Sequence, residues 1–203
     1  MAADNTFQTS VPLYPALGIP GSYAAVNPIV SPPKGYIVKT AVTCGCFCWE
    51  DTTNAGQVVP SGSGMPLGFV VRNITGVLPA GTVASNTMQA GCNVNIAVEG
   101  DFWVAPTADV TKGQKVFAST TNGSVKGGSA GATVAGHVET NWVFETTADA
   151  DANELAIISN HGQTPAASVV AGSFVSAVVA GESNYTLKVT KGGTDSTVNI
   201  GHA

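Results

Sequence analysis

Apolar and polar positions alternate over short stretches along most of this chain, and no stretch keeps the three-and-four spacing of an amphipathic helix. Asn93-Val-Asn-Ile-Ala-Val98 alternates with period two, and Gly100-Asp-Phe-Trp-Val104 follows as another short strand. Tyr36, Ile37, Val38 and Val42 lead into the run Cys44-Gly-Cys-Phe-Cys-Trp49, which is β-branched and aromatic and reads as strand. Turn residues 50–56 close it. Residues 67–74 predict a strand, and Pro79-Ala-Gly81 a turn. Residues 115–118 predict a strand before Asn122-Gly123, the strongest two-residue hairpin signal. Residues 126–131 read as a glycine-rich loop, and residues 132–138, 142–145 and 154–159 as further strands. After His161-Gly-Gln-Thr-Pro165 the alternation of residues 185–189, a turn at Gly192-Gly193 and the run 197–200 predict a small C-terminal β-meander. Many short strands at regular spacing predict an all-β fold, a small β-barrel or sandwich.

The first 35 residues break this pattern. Six of the 11 prolines fall there: Pro12, Pro15, Pro20, Pro28, Pro32 and Pro33. Proline fixes φ and removes a donor, so this stretch is neither helix nor central strand. It is not a polar linker either, because Leu13, Tyr14, Leu17, Ile19, Tyr23, Val26, Ile29 and Val30 anchor it. An extended arm lying across its own body or a neighbouring subunit is expected. The chain therefore divides into an arm (1–35), a β-barrel or sandwich core (36–160) and a C-terminal hairpin module (161–203).

Composition narrows the function classes. Among 203 residues, 10% are charged, against about 25% in an ordinary soluble domain. The net charge is −5, the hydrophobic fraction 44% and the mean hydropathy +0.22. That is the reverse of a disordered chain. Eight basic residues, of which Arg72 is the single arginine, make phosphate-driven nucleic-acid binding a poor fit. Residues 1–17 lack the basic start and apolar centre of a secretory signal. The best candidate span, residues 162–181, is interrupted by Gly, Ser, Thr, Gln and Pro, so no membrane segment is expected. A surface so poor in charge implies either solvation by Thr, Ser, Asn and Gly or extensive cover by partners.

Candidate chemistry is sparse. Cys44, Cys46, Cys48 and Cys92 form no C-x2-C zinc knuckle. A C-x-C-x-C run on a strand spaces its sulfurs some 6.5–7 Å along one face, so packed, reduced thiols are expected rather than a metal site or a disulfide framework. Asp149-Ala-Asp-Ala-Asn153 faintly resembles a calcium loop, but Glu154 and Asn160 stand where an EF-hand needs Gly and Glu. No nucleophile elbow, phosphate loop or dinucleotide fingerprint occurs. Asp51, Glu99 and Asp101 sit at strand ends, where surface acids are ordinary. Three N-x-[ST] sequons, at Asn73, Asn122 and Asn184, are expected to arise by chance without a signal peptide. No catalytic, cofactor or metal residues are assigned.

A series of short signatures in order carries a resemblance. It runs from Ala24-Ala-Val-Asn-Pro28 through Gly45-Cys-Phe-Cys-Trp-Glu-Asp51 and Pro66-Leu-Gly-Phe-Val-Val-Arg72 to Pro79-Ala-Gly81. Gly100-Asp-Phe-Trp-Val104, Gly113-Gln-Lys-Val-Phe-Ala118 and Asn122-Gly123 follow. Over roughly residues 10–160 the chain resembles the structural cement, or head decoration, proteins of tailed bacteriophages. The resemblance implies a non-enzymatic all-β protein on the outer surface of the virion capsid, made in the host cytoplasm. Its implied partners are a major capsid protein of the HK97-like fold and further copies of itself, as a trimer or, in some members, a dimer. Leu13, Tyr14, Leu17, Ile19 and Tyr23 of the arm, with Arg72 as a fork donor, are the expected capsid or subunit contacts. The competing expectation is a virion or cell-surface β-module that binds a receptor or glycan. A weaker one is a carbohydrate-active enzyme using Asp51, Glu99 or Asp101.

Overall fold

A computed structural model describes residues 18–73 and 86–161, together with the backbone of two strands at 184–191 and 194–201. All regular elements in the described residues are strands. Two compact units divide the chain, Met1–Pro165 and Ala166–Ala203.

The first unit contains a closed five-stranded barrel. Its strands are β1 (Tyr36–Val38), β3 (Phe47–Glu50), β4 (Gln57–Val59), β5 (Gly68–Val71) and β7 (Asn93–Ala97), in the order β1-β4-β3-β5-β7. β7 pairs with β1 and closes the ring, while β1 and β4 pair in parallel. β2 (Val42–Thr43) and β6 (Thr87–Met88) form a small ladder beside it. A five-stranded sheet follows, made from β8 (Asp101–Val104), β9 (Lys115–Ser119), β10 (Val125–Gly128), β11 (His137–Phe144) and β12 (Ala156–Ser159). Its order is β10-β9-β11-β12-β8.

The side-chain period of two explains how these parts join. On β5, Val70 points into the barrel with Val38, Val58, Met88 and Ile96. Its neighbours Phe69 and Val71 point out and pack with Phe102, Val116, Trp142 and Ile158 of the five-stranded sheet. β3 does the same, Cys48 inward and Phe47 and Trp49 outward. β5 is buried throughout and β3 nearly so, because each lies between two cores, whereas β1 and β7 leave Ile37, Asn93 and Asn95 exposed. Gly123 seals the junction. Its φ is +72°, and a Cβ there would lie 1.9 Å from the Phe47 carbonyl oxygen. The Phe47 N–H donates to the Gly123 carbonyl at 2.8 Å.

Several local expectations need correction. Residues 126–131 were expected to be loop, but Val125–Gly128 is β10, held by four register pairs to β9. There Gly127 and Gly128 admit Gln114 and the Phe117 ring, which a Cβ would strike. Residues 132–134 are irregular and 135–136 turn, where strand was expected, and one bulged strand, β11, replaces the two expected. The cysteine run is not one strand: Cys44 to Cys46 turn, with Gly45 at φ +86°, and β3 starts at Phe47. In the second unit β13 (Asn184–Lys191) and β14 (Thr194–Gly201) pair over eight residues as an antiparallel hairpin.

Candidate interaction surface

Residues 18–30 run antiparallel along β8, the edge of the five-stranded sheet, through bridges at Tyr23–Phe102 and Val30–Glu99. Gly21 N donates to Trp103 O at 2.8 Å, Trp103 N to Ser22 O at 3.0 Å and Ala24 N to Asp101 O at 2.9 Å. Val30 exchanges bonds with Glu99 and Val98. Covering an edge in this way removes a template for unwanted strand pairing. The described part of the arm thus lies across its own body, one of the two placements expected for it.

Two glycines permit the approach. Gly18 sits so close to Trp103 that a Cβ would be 2.4 Å from the indole. Gly21, at φ +87°, meets Gly45 backbone to backbone. Further bonds fix this corner. Arg72 N donates to Gly21 O at 2.8 Å, and the Asn86 amide donates to Pro20 O at 2.8 Å and Cys44 O at 2.9 Å. The Asn27 amide donates to the Asp101 carboxylate. Asp101 is therefore a buried acid held by the arm, where a surface position was expected.

The arm's backbone is committed inward and its apolar side chains face outward. Val26 is fully exposed, Tyr23 is 54% exposed, and Ile19, Ile29 and Val30 are each at least 40% exposed. Tyr23 also rests on Phe102, ring centroids 5.6 Å apart. Several large apolar side chains left exposed along one hydrogen-bonded segment mark a candidate protein contact. Ile19 and Tyr23, two of the expected contact residues, are among them. Arg72 lies beneath the arm and half-buried, with its Nε lacking a hydrogen-bond partner among the described residues. Leu13, Tyr14 and Leu17 lie outside the described residues. The sequence reading included Val26, Ile29 and Val30 as anchors but left them out of the contact set; their exposure singles them out.

The other candidates have structural roles. All four cysteines are free thiols. Burial pushes Cys48 up to about 12, and burial with the neighbouring Cys44 pushes Cys46 up to about 11. Cys44 is raised by burial as well. These are poor nucleophiles. No cluster of metal-ligating side chains occurs among the described residues. In the acidic loop, Asp149 Oδ1 accepts from the Asp151 and Ala152 N–H groups, Glu154 Oε2 from Asp149, and Asp109 Oδ1 from Ala150. Those carboxylates build the turn, with Asn153 at φ +56° closing it. Asp51 binds Lys39 at 2.9 Å and Glu50 binds Lys34 at 2.6 Å, and these cations hold both carboxyls below their ordinary values.

No curated protein matches the chain. A chain from the capsid of Myoviridae phage XM1 matches with a TM-score of 0.53 at 19% identity, covering 81% of this chain and 100% of that one. The head fiber gp8.5 N base of bacteriophage phi29 matches at 14% identity and a TM-score of 0.39, covering 64% of this chain and 92% of that one. The first likeness is one of fold. The family model described as structural cement protein (E217 gp24/Pam3 gp6) matches residues 7–161, from the arm to the end of the five-stranded sheet. The chain therefore belongs to the phage structural cement protein family, and its role is that of a structural, capsid-associated protein.

Proposed function

We propose that this protein decorates the outer surface of a tailed-phage head and stabilises the shell by bridging neighbouring subunits of an HK97-like major capsid protein. It does so without catalysis, as a trimer, at the surface of the virion. Residues 1–35 serve as the docking arm, 36–160 as the body and 161–203 as an added module. Leu13, Tyr14, Leu17, Ile19 and Tyr23 make the contacts, joined by Val26 and Ile29, and Arg72 supports them.

The observation that carries this reading is the arm's division of labour. Backbone hydrogen bonds fasten it to β8, and its large apolar side chains are left in water. Pre-ordering the arm lowers the entropy lost on docking. At about 25 cal/mol per Å² of apolar surface, each copy contributes modestly, and repetition over a shell multiplies the effect. The low charge fits a molecule whose surface is covered in use.

The test is co-sedimentation with expanded heads that lack the protein. Wild-type protein should pellet with heads at a fixed stoichiometry and raise their melting temperature. Tyr23→Asp combined with Val26→Asp should lower head affinity at least tenfold with the fold intact. Binding to heads that is indifferent to these two substitutions would remove the arm from the account.

A further inference from the structure

A cavity of about 200 Å³ opens at the waist of the first unit, between barrel and sheet. Phe47, Leu67, Val98 and Trp142 give it apolar walls, and Met65 and Asn141 stand at its mouth. Met65 is 57% exposed. The mouth is shaped by the bulge in β11. Between Glu139 and Val143 the register slips, and Thr140 turns inward to donate to Val116 O at 2.8 Å. Asn141 is left exposed, with an amide that can bond to a backbone lying across the opening. Bulges commonly re-aim side chains beside binding sites.

We propose that this cavity receives an apolar side chain from residues 7–17 of a second copy of the chain. The inference rests on the self-association in the proposed function and assigns it a site. Three observations select this occupant. The family match begins at residue 7, so residues 7–17 belong to the module rather than to an appended tail. The segment carries Phe7, Val11, Leu13, Tyr14 and Leu17, each sized for such a hollow, and Pro12 and Pro15 restrict its backbone before binding. Direction then decides between copies. The arm runs antiparallel to β8, with Gly18 against Trp103 and Val30 beside Val98. Gly18, the first described residue, thus lies at the end of β8 opposite to the one where Val98 lines the cavity. Eleven extended residues span roughly 36 Å, enough to cross to a neighbour.

Disulfide trapping tests this in the full-length protein. Ala16→Cys, a small residue between the anchors, is combined with Met65→Cys in a Cys92→Ser background, leaving the three thiols of residues 44–48, whose raised pKa values make them poor nucleophiles, as native. Mild oxidation should give covalent dimers and higher species on a non-reducing gel, with residues 16 and 65 joined between chains, and neither single variant should do so. Ser10→Cys with Met65→Cys provides a second register. Val98→Trp, which fills the hollow from its rim, should abolish trapping and shift the sedimentation coefficient towards the monomer while the protein stays folded by circular dichroism. An intrachain 16–65 link, or no link in either register from protein that still self-associates, overturns the proposal. If such protein also binds heads normally, the decoration reading stands without this site; if wild-type protein does not bind heads, that reading fails on its own account.

Discussion

The two faces of β5 meet different cores. Val70 points into the barrel, among aliphatic side chains and the thiols of Cys44 and Cys48. Phe69, one residue earlier, points into a junction where Phe47, Phe102 and Trp142 surround it at centroid distances of 5.0–5.9 Å. A closed five-stranded ring has a narrow interior that admits mostly small side chains. The junction lies between two layers and takes whole rings, in tilted and edge-on arrangements that rings prefer. The barrel core therefore holds one subassembly together, while the aromatic core joins barrel to sheet and supports the strand on which the arm lies.

That difference is open to attack by substitution. Phe69→Ala should cost about 3–5 kcal/mol and loosen barrel and sheet together, read as a single large drop in the urea midpoint. Gly123→Ala should cost about 3 kcal/mol, from strain at positive φ and the loss of the Phe47 contact, again as a single drop in the urea midpoint. Val70→Ala, on the opposite face of the same strand, should cost about 2 kcal/mol. Equal losses at positions 69 and 70 would contradict the distinction between the cores.

The thiols of residues 46 and 48 add a pH-dependent effect. Cys46 and Cys48 keep their protons in the folded state up to about 11 and about 12, against an ordinary value of 9.0. Above pH 9 the unfolded chain loses protons that the folded chain keeps. Stability is thus full below pH 9 and falls as pH rises toward 11–12, by at most about 1.4 kcal/mol per pH unit for each thiol. Urea melts from pH 8 to 10.5 should show the fall, and Cys48→Ala should reduce its slope. The smallest stability effect belongs to the arm's outer side: Val26→Asp, at a fully exposed position, should shift unfolding by no more than about 0.5 kcal/mol.

Legibility in the sequence followed locality. Asn93–Ala97 alternates and Asp101–Val104 is short and rich in aromatic and β-branched residues, and both strands were readable. Gln57–Val59 was overlooked because it has three residues and gains its place through parallel pairing with β1, a partner 20 residues away. Val125–Gly128 was misread because Lys126-Gly-Gly128 has loop composition. Its glycines are there to admit Gln114 and Phe117, a tertiary need invisible locally. The arm's prolines and anchors announced an extended docking element, but which side it would bury was not legible. Asp101 looked like a surface acid because its partner, Asn27, is 74 residues away. The family resemblance reached further than the local reading because it drew on the order of many weak signatures at once.

The central claim is that a rigidly seated arm presents its apolar strip to a phage shell. Electron cryomicroscopy of expanded heads, with and without added protein, tests it most directly. The account predicts extra density on the outer surface at fixed lattice positions, spanning the boundary between capsid subunits, with Tyr23, Val26 and Ile29 against the shell. Heads that show no added density, or density in which that strip still faces solvent, would contradict it.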